Sequence, residues 1–195
     1  ANLQALYLAQ NNLSAVEANV FSSALPHLHY LDLTSNRIQL IEPNAFRGLH
    51  LLRELHLDYN ELVSLHPSTF RDLRALHTLS LSNNRLASID STTLAPLVSL
   101  RRLVLDFNYL RSIEPVSSLT SLKELSLYAN EISTLDSDSF AGLAEVEELT
   151  LSNNRISSIG EQAFSKLRKI SKLLLRGNQL SQISAYDFSS LKQLH

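Results

Sequence analysis

The pattern Leu-x-x-Leu-x-Leu-x-x-Asn-x-Leu recurs along the whole chain, and no other feature restricts its folding as severely. Its units begin at Leu3, Leu28, Leu52, Leu76, Leu100, Leu122, Val146 and Ile170, and a ninth opens at Leu194. The spacings are 25, 24, 24, 24, 22, 24, 24 and 24 residues, so one unit, Leu100 to Ser121, is two residues short. A unit of this size cannot bury its own apolar face, so neighbouring copies must stack on one another. Residues 1–195 therefore read as one domain of eight stacked coils.

Each place in the unit has a physical role. Leucines at the fourth and sixth places, such as Leu79 and Leu81, alternate with the two-residue period of a short strand and point inward. The ninth place is Asn in every unit: Asn11, Asn36, Asn60, Asn84, Asn108, Asn130, Asn154 and Asn178. An amide side chain both donates and accepts, so a buried Asn column can satisfy backbone groups that a turn leaves unpaired. With four Gly and five Pro in the chain, this column is expected to replace tight glycine turns. Phe21, Phe46, Phe70, Leu94, Phe140, Phe164 and Phe188 form a further column, in which stacked rings fill the wider side of the coil. The short unit has no Phe at that level, which predicts a gap between Leu94 and Phe140 filled by Val116 and Leu119.

Composition narrows the function. An apolar fraction of 44% suits a packed core. Lys+Arg 17 against Asp+Glu 19, a formal charge of −2, gives no electrostatic case for nucleic acid or a membrane surface. No apolar run is long enough to span a bilayer and no signal leader opens the chain. The absence of Cys removes disulfides, thiolate metal sites and a thiol nucleophile.

The repeated unit resembles the 24-residue "typical" class of extracellular leucine-rich repeat proteins over its whole length. The resemblance implies a curved α/β-type solenoid with a concave parallel sheet and a mostly irregular convex side. It also implies a binding module in a secreted or cell-surface protein, similar to Toll-type receptors, Slit-like proteins and insect adhesion or immune ectodomains. Such ectodomains carry Cys-rich caps that are missing here, so the chain reads as an internal part of a longer solenoid, or as one whose edge an end-to-end partner covers. No cofactor is implied.

If the leucines point inward, the third, fifth and seventh places face outward on the concave sheet, with the eighth at its rim. These columns vary widely while the frame hardly does, so packing does not dictate them. Two clusters stand out as candidate ligand contacts: Tyr30, Asp32, Glu54, His56, Asp58 and Tyr59, and then Arg102, Asp106, Phe107 and Tyr128 beside Val104. Exposed Tyr, Phe and Arg are typical interface anchors, and the carboxylates suit a basic protein ligand or co-receptor. The face is expected to be acidic in its middle and basic near Lys172 and Arg176. Ser80, His56 and Asp58 also fall together, but a flat sheet supplies neither pocket nor oxyanion hole, so no enzyme is expected. Asp32, His56 and Asp58 lack the supporting shell of a metal site. Asn12-Leu13-Ser14 is a glycosylation sequon, making Asn12 the candidate acceptor. The rival to ligand recognition is a structural or adhesive solenoid that forms a homodimer.

Overall fold

The computed structural model describes residues 2–21, 25–184, 186–189 and 191; the ninth unit, opening at Leu194, lies outside them. One strand per repeat forms an eight-stranded parallel sheet. Its members are β1 (Ala5–Tyr7), β3 (Tyr30–Asp32), β5 (Glu54–His56), β6 (Thr78–Ser80), β7 (Arg102–Val104), β8 (Glu124–Ser126), β10 (Glu148–Thr150) and β12 (Lys172–Leu174). They lie side by side in chain order, and each third place pairs with the next, as Tyr30 with Glu54 and Arg102 with Glu124. The curved solenoid with this sheet on its concave side is the fold that the repeat implied.

The convex side is mostly irregular, with a few short regular pieces. Two small parallel sheets form there, β2 (Ala15–Val16) on β4 (Leu40–Ile41) and β9 (Thr134–Leu135) on β11 (Ser158–Ile159). The fourth repeat has a one-turn helix, α1 (Ser91–Leu94), whose N-cap Asp90 accepts from the Thr92 N–H at 2.8 Å. The short repeat closes through a 3-10 turn, Glu114–Val116. Its longer rise per residue spans the gap with fewer residues.

Inward leucines make the core continuous: Leu31, Leu55, Leu57, Leu79, Leu81 and Leu103 are fully buried, and Leu33 and Leu105 nearly so. Phe rings stack in two runs. Phe21, Phe46 and Phe70 stand 6.1 and 6.2 Å apart, and Phe140, Phe164 and Phe188 stand 5.6 and 5.7 Å apart. Between the runs, Leu94, Val116 and Leu119 are buried and fill the level where no ring stands.

Each interior Asn ties two coils together. Asn84 Nδ2 donates to Leu81 O in its own coil and to Leu57 O in the preceding one, both at 3.0 Å. Its Oδ1 accepts from the Leu62 N–H at 3.0 Å. Asn36, Asn60, Asn108, Asn130 and Asn154 repeat the arrangement and are buried like Asn84. Asn178 does the same half-buried, whereas Asn11, in the first repeat, is exposed and bonds only Leu8 O and Ala9 O of its own coil.

The Asn column does not itself turn the chain. The turn comes one residue earlier, where every repeat has a left-handed backbone: Gln10, Ser35, Tyr59, Asn83, Phe107, Ala129, Asn153 and Gly177, with φ between 53° and 73°. The N–H of that residue is fixed by the next coil, as Tyr59 N donates to Ser82 O at 2.9 Å and Phe107 N to Tyr128 O at 2.8 Å. Only one of the eight is glycine, so the fold accepts strained backbone at seven places.

Candidate functional site

The first cluster is organised diagonally. Tyr30 packs at a tilt against Tyr7 at 4.9 Å and against His56 at 5.2 Å between ring centres. In the sheet register Tyr30 is paired with Glu54, so His56 is its diagonal neighbour, as is Tyr7 on the other side. Long side chains reach across such diagonals. Burial, reinforced by Asp32, Tyr7 and Glu54, raises the Tyr30 hydroxyl above the usual tyrosine range. Tyr7 is 68% exposed and belongs to this surface, although reading the columns one place at a time does not reveal it.

The carboxylates of the cluster have unequal freedom. Glu54 is exposed, 3.5 Å from His56 Nε2. Asp32 Oδ1 accepts from the Thr34 N–H at 2.9 Å. Asp58 is mostly buried, with Oδ1 accepting from Ser80 Oγ and from the Ser82 N–H at 2.9 Å, while its Oδ2 lies 3.9 Å from His56 Nδ1. The aspartate thus sits between serine and histidine. A nucleophilic triad needs the histidine in that place. Tyr59, at the rim, is 59% exposed.

In the second cluster Phe107 meets the Tyr128 ring edge-on at 5.2 Å, and Tyr128 Oη accepts from Asn153 Nδ2 at 2.7 Å. Arg102 pairs with Glu124 at 3.2 Å. Asp106 repeats the role of Asp58 two coils on: it accepts from the Tyr128 N–H at 2.9 Å and from the Ser126 side chain. Burial raises the Asp106 carboxyl above the usual carboxylate range, against the lowering effect of those hydrogen bonds, with Asp58 raising it further and Arg102 lowering it. A raised folded-state value means that this group favours folding most below the ordinary carboxylate range, and that the contribution is lost as pH rises through the raised value. Asp106→Asn is therefore expected to gain stability relative to the wild type as pH goes from about 4 to about 7. Urea unfolding at the two pH values measures it; a constant difference would contradict the assignment.

A shallow depression of about 170 Å³ lies at the second cluster, lined by Arg102, Val104, Asp106, Glu124, Ser126 and Glu148. A second depression of about 370 Å³ runs from Tyr128 over Asn153 to Leu174 and Arg176. Lys172 is paired with Glu148 at 3.0 Å and Arg102 with Glu124, while Asp32 and Glu54 make the concave face of the second and third coils acidic.

The leucine rich repeat model matches residues 1–62, 51–110, 99–156 and 144–195. The chain belongs to the leucine-rich repeat family. Among solved structures, this leucine-rich repeat chain is similar to a chain of the TLR13–ssRNA13 complex, with a TM-score of 0.91, 28% identity, and coverage of 99% of this chain and 28% of that one. It is likewise similar to a chain in the octameric complex of Latrophilin 3, Unc5D and FLRT2, with a TM-score of 0.86, 30% identity, and coverage of 99% and 59%. A chain of the Drosophila Toll–Spatzle complex matches with a TM-score of 0.79, 27% identity, and coverage of 91% and 25%. The repeats thus span from about a quarter to three fifths of the length of these chains. None of the curated protein sequences is significantly similar. No helix among the described residues is long and apolar enough to cross a membrane.

Proposed function

We propose that the leucine-rich repeat chain is a non-catalytic recognition module that binds a basic protein ligand or co-receptor on its concave face. In this reading it is a segment of a longer solenoid in a secreted or cell-surface receptor or immune protein. The observation that carries it is the placement of Tyr59 and Phe107. Both rings are more than half exposed, and both stand on left-handed backbone at φ 53°. A bulky residue is disfavoured there, and packing does not require one, because Ala129 and Ser35 occupy the same place in other coils. Stability given up at an exposed ring is a mark of selection for contact. The acidic surroundings of Tyr30 favour a basic partner, and the exposed Asn12 suits glycosylation outside the cell. Of the similar structures, one is a Toll–Spatzle complex and one includes Latrophilin 3 and Unc5D, which supports recognition of protein, while a third is a complex with ssRNA.

Tyr59→Asn is expected to stabilise the fold by about 0.5–1 kcal/mol, since Asn tolerates left-handed backbone. A urea midpoint that fell instead would show that the ring contributes to the fold. The functional test is molar mass by light scattering over a concentration series, for the wild type and for the Tyr59→Ala, Phe107→Ala, Tyr128→Ala variant, followed by a binding screen of both against secreted proteins. A monomeric wild type with a ligand lost in the variant supports the reading. A dimer dissolved by the variant would replace it with homophilic adhesion through the same face.

A further inference from the structure

The second place of each repeat lies just before the strand, on the flank of the solenoid. Along the chain it reads Gln4, His29, Arg53, His77, Arg101 and Lys123, then turns to Glu147 and Ser171. The backbone stacks these residues directly: Arg53 N donates to His29 O, His77 N to Arg53 O and Lys123 N to Arg101 O, all at 2.8 Å, and Arg101 N to His77 O at 2.9 Å. Parallel strands lie about 4.8 Å apart, so five basic side chains stand in one line about 19 Å long. Arg53, Arg101 and Lys123 are exposed, and the two histidines half-buried. Lys123 is paired with Glu147 at 3.0 Å, but no ion pair holds Arg53 or Arg101 among the described residues. The exposed Arg74, three residues before His77, adds to the same flank.

A net charge of −2 conceals this segregation. Packing does not demand it, because the same backbone bonds continue where the column becomes Glu147 and Ser171, each at 2.8 Å. Unpaired like charges on a rigid ladder create a local field that attracts a polyanion. We propose that this flank binds a linear sulfated polysaccharide. Guanidinium groups grip sulfate-like oxygens through paired N–H donors, and a stiff anionic chain can follow a straight cationic column. The column offers no Tyr, Phe or Trp on which nucleic-acid bases would stack. An extended acidic peptide presents carboxylates on one face only about every 6.7 Å, out of step with the coils.

Heparin is the probe, titrated by calorimetry onto the 195-residue chain at low salt and again at rising salt. Binding should weaken steadily with salt, and Arg53→Gln/Arg101→Gln should bind roughly tenfold more weakly with a shallower salt dependence. Arg85→Gln/Arg155→Gln, past the other end of the strands, should bind as the wild type does, with circular dichroism confirming that both variants fold. Independently of any substitution, bound heparin should protect Arg53 and Arg101 from phenylglyoxal but leave Arg85 and Arg155 reactive. No binding at low salt, equal loss in the two variants, or absence of protection would overturn the proposal. So would oligouridylate or polyglutamate of matched charge binding as tightly as heparin.

Discussion

Replacing Asn84 with Leu is expected to lower the unfolding free energy by about 2–4 kcal/mol, while Asn11→Leu costs no more than about 0.5 kcal/mol. The two residues occupy the same place in the repeat, so the difference arises entirely from their partners. Asn84 is buried and is the acceptor for the Leu62 N–H, which has no other route to a hydrogen bond. Leucine fits the space in outline but leaves that N–H unpaired in an apolar interior, and unpaired buried donors are costly. Leu57 O and Leu81 O suffer less, because Asn60 and Asn108 also donate to them. Asn11 is exposed and bonds only its own coil, so water replaces what is lost. Urea unfolding of the two variants side by side tests this; equal losses would mean that the amide contributes through helix-independent local turn preference and not by joining coils.

Gly142→Ala is the second large effect, a loss of about 2–4 kcal/mol. Gly142 has φ 79°, and a methyl group there would fall on the Ser117 carbonyl oxygen, well inside contact distance. Neither party can yield cheaply, since both are backbone. Ser117 closes the 3-10 turn of the short repeat, its N–H donating to Glu114 O at 3.1 Å. The contact is therefore where the sixth coil seats on the coil that lacks two residues. Gly177→Ala meets the Asn153 side chain instead, which can swing away, and should cost less despite a similar φ of 73°. Thermal unfolding of both variants gives the comparison, and a Gly177 variant at least as damaged as the Gly142 variant would refute it.

The periodic frame was fully legible because burial repeats every coil: a Leu at the fourth place has the same neighbours each time. The filling of the Phe gap by Val116 and Leu119 was legible for the same reason. The left-handed eighth place was not, since Tyr59, Phe107 and Ala129 carry no glycine-like signal and only the hydrogen bonds of the next coil impose the conformation. Tyr7 was missed because its contact with Tyr30 runs diagonally between different places in the unit. Asp58 and Asp106 read as free carboxylates, and only the structure reveals that each is engaged by a serine and a backbone N–H one coil on. The basic flank was hidden by averaging, as a whole-chain charge cannot register which side a residue occupies.

The direction of the Asn bonds makes the solenoid polar along its axis. From Asn36 onward each ladder amide reaches back to the preceding coil, as Asn108 does to Leu81 O and the Leu86 N–H. A cut between two coils would therefore create unlike surfaces. Besides its share of the strand pairing, the downstream piece would lose the partners of its ladder side chain, which can settle on its own coil as Asn11 does. The upstream piece would bare a fixed N–H, such as that of Leu86, in an apolar rim, while Leu81 O keeps the Asn84 donor; both pieces would show an open strand edge, so the unpaired N–H makes the upstream one the more adhesive. Engineered fragments of this solenoid should accordingly need protection at their trailing end more than at their leading end.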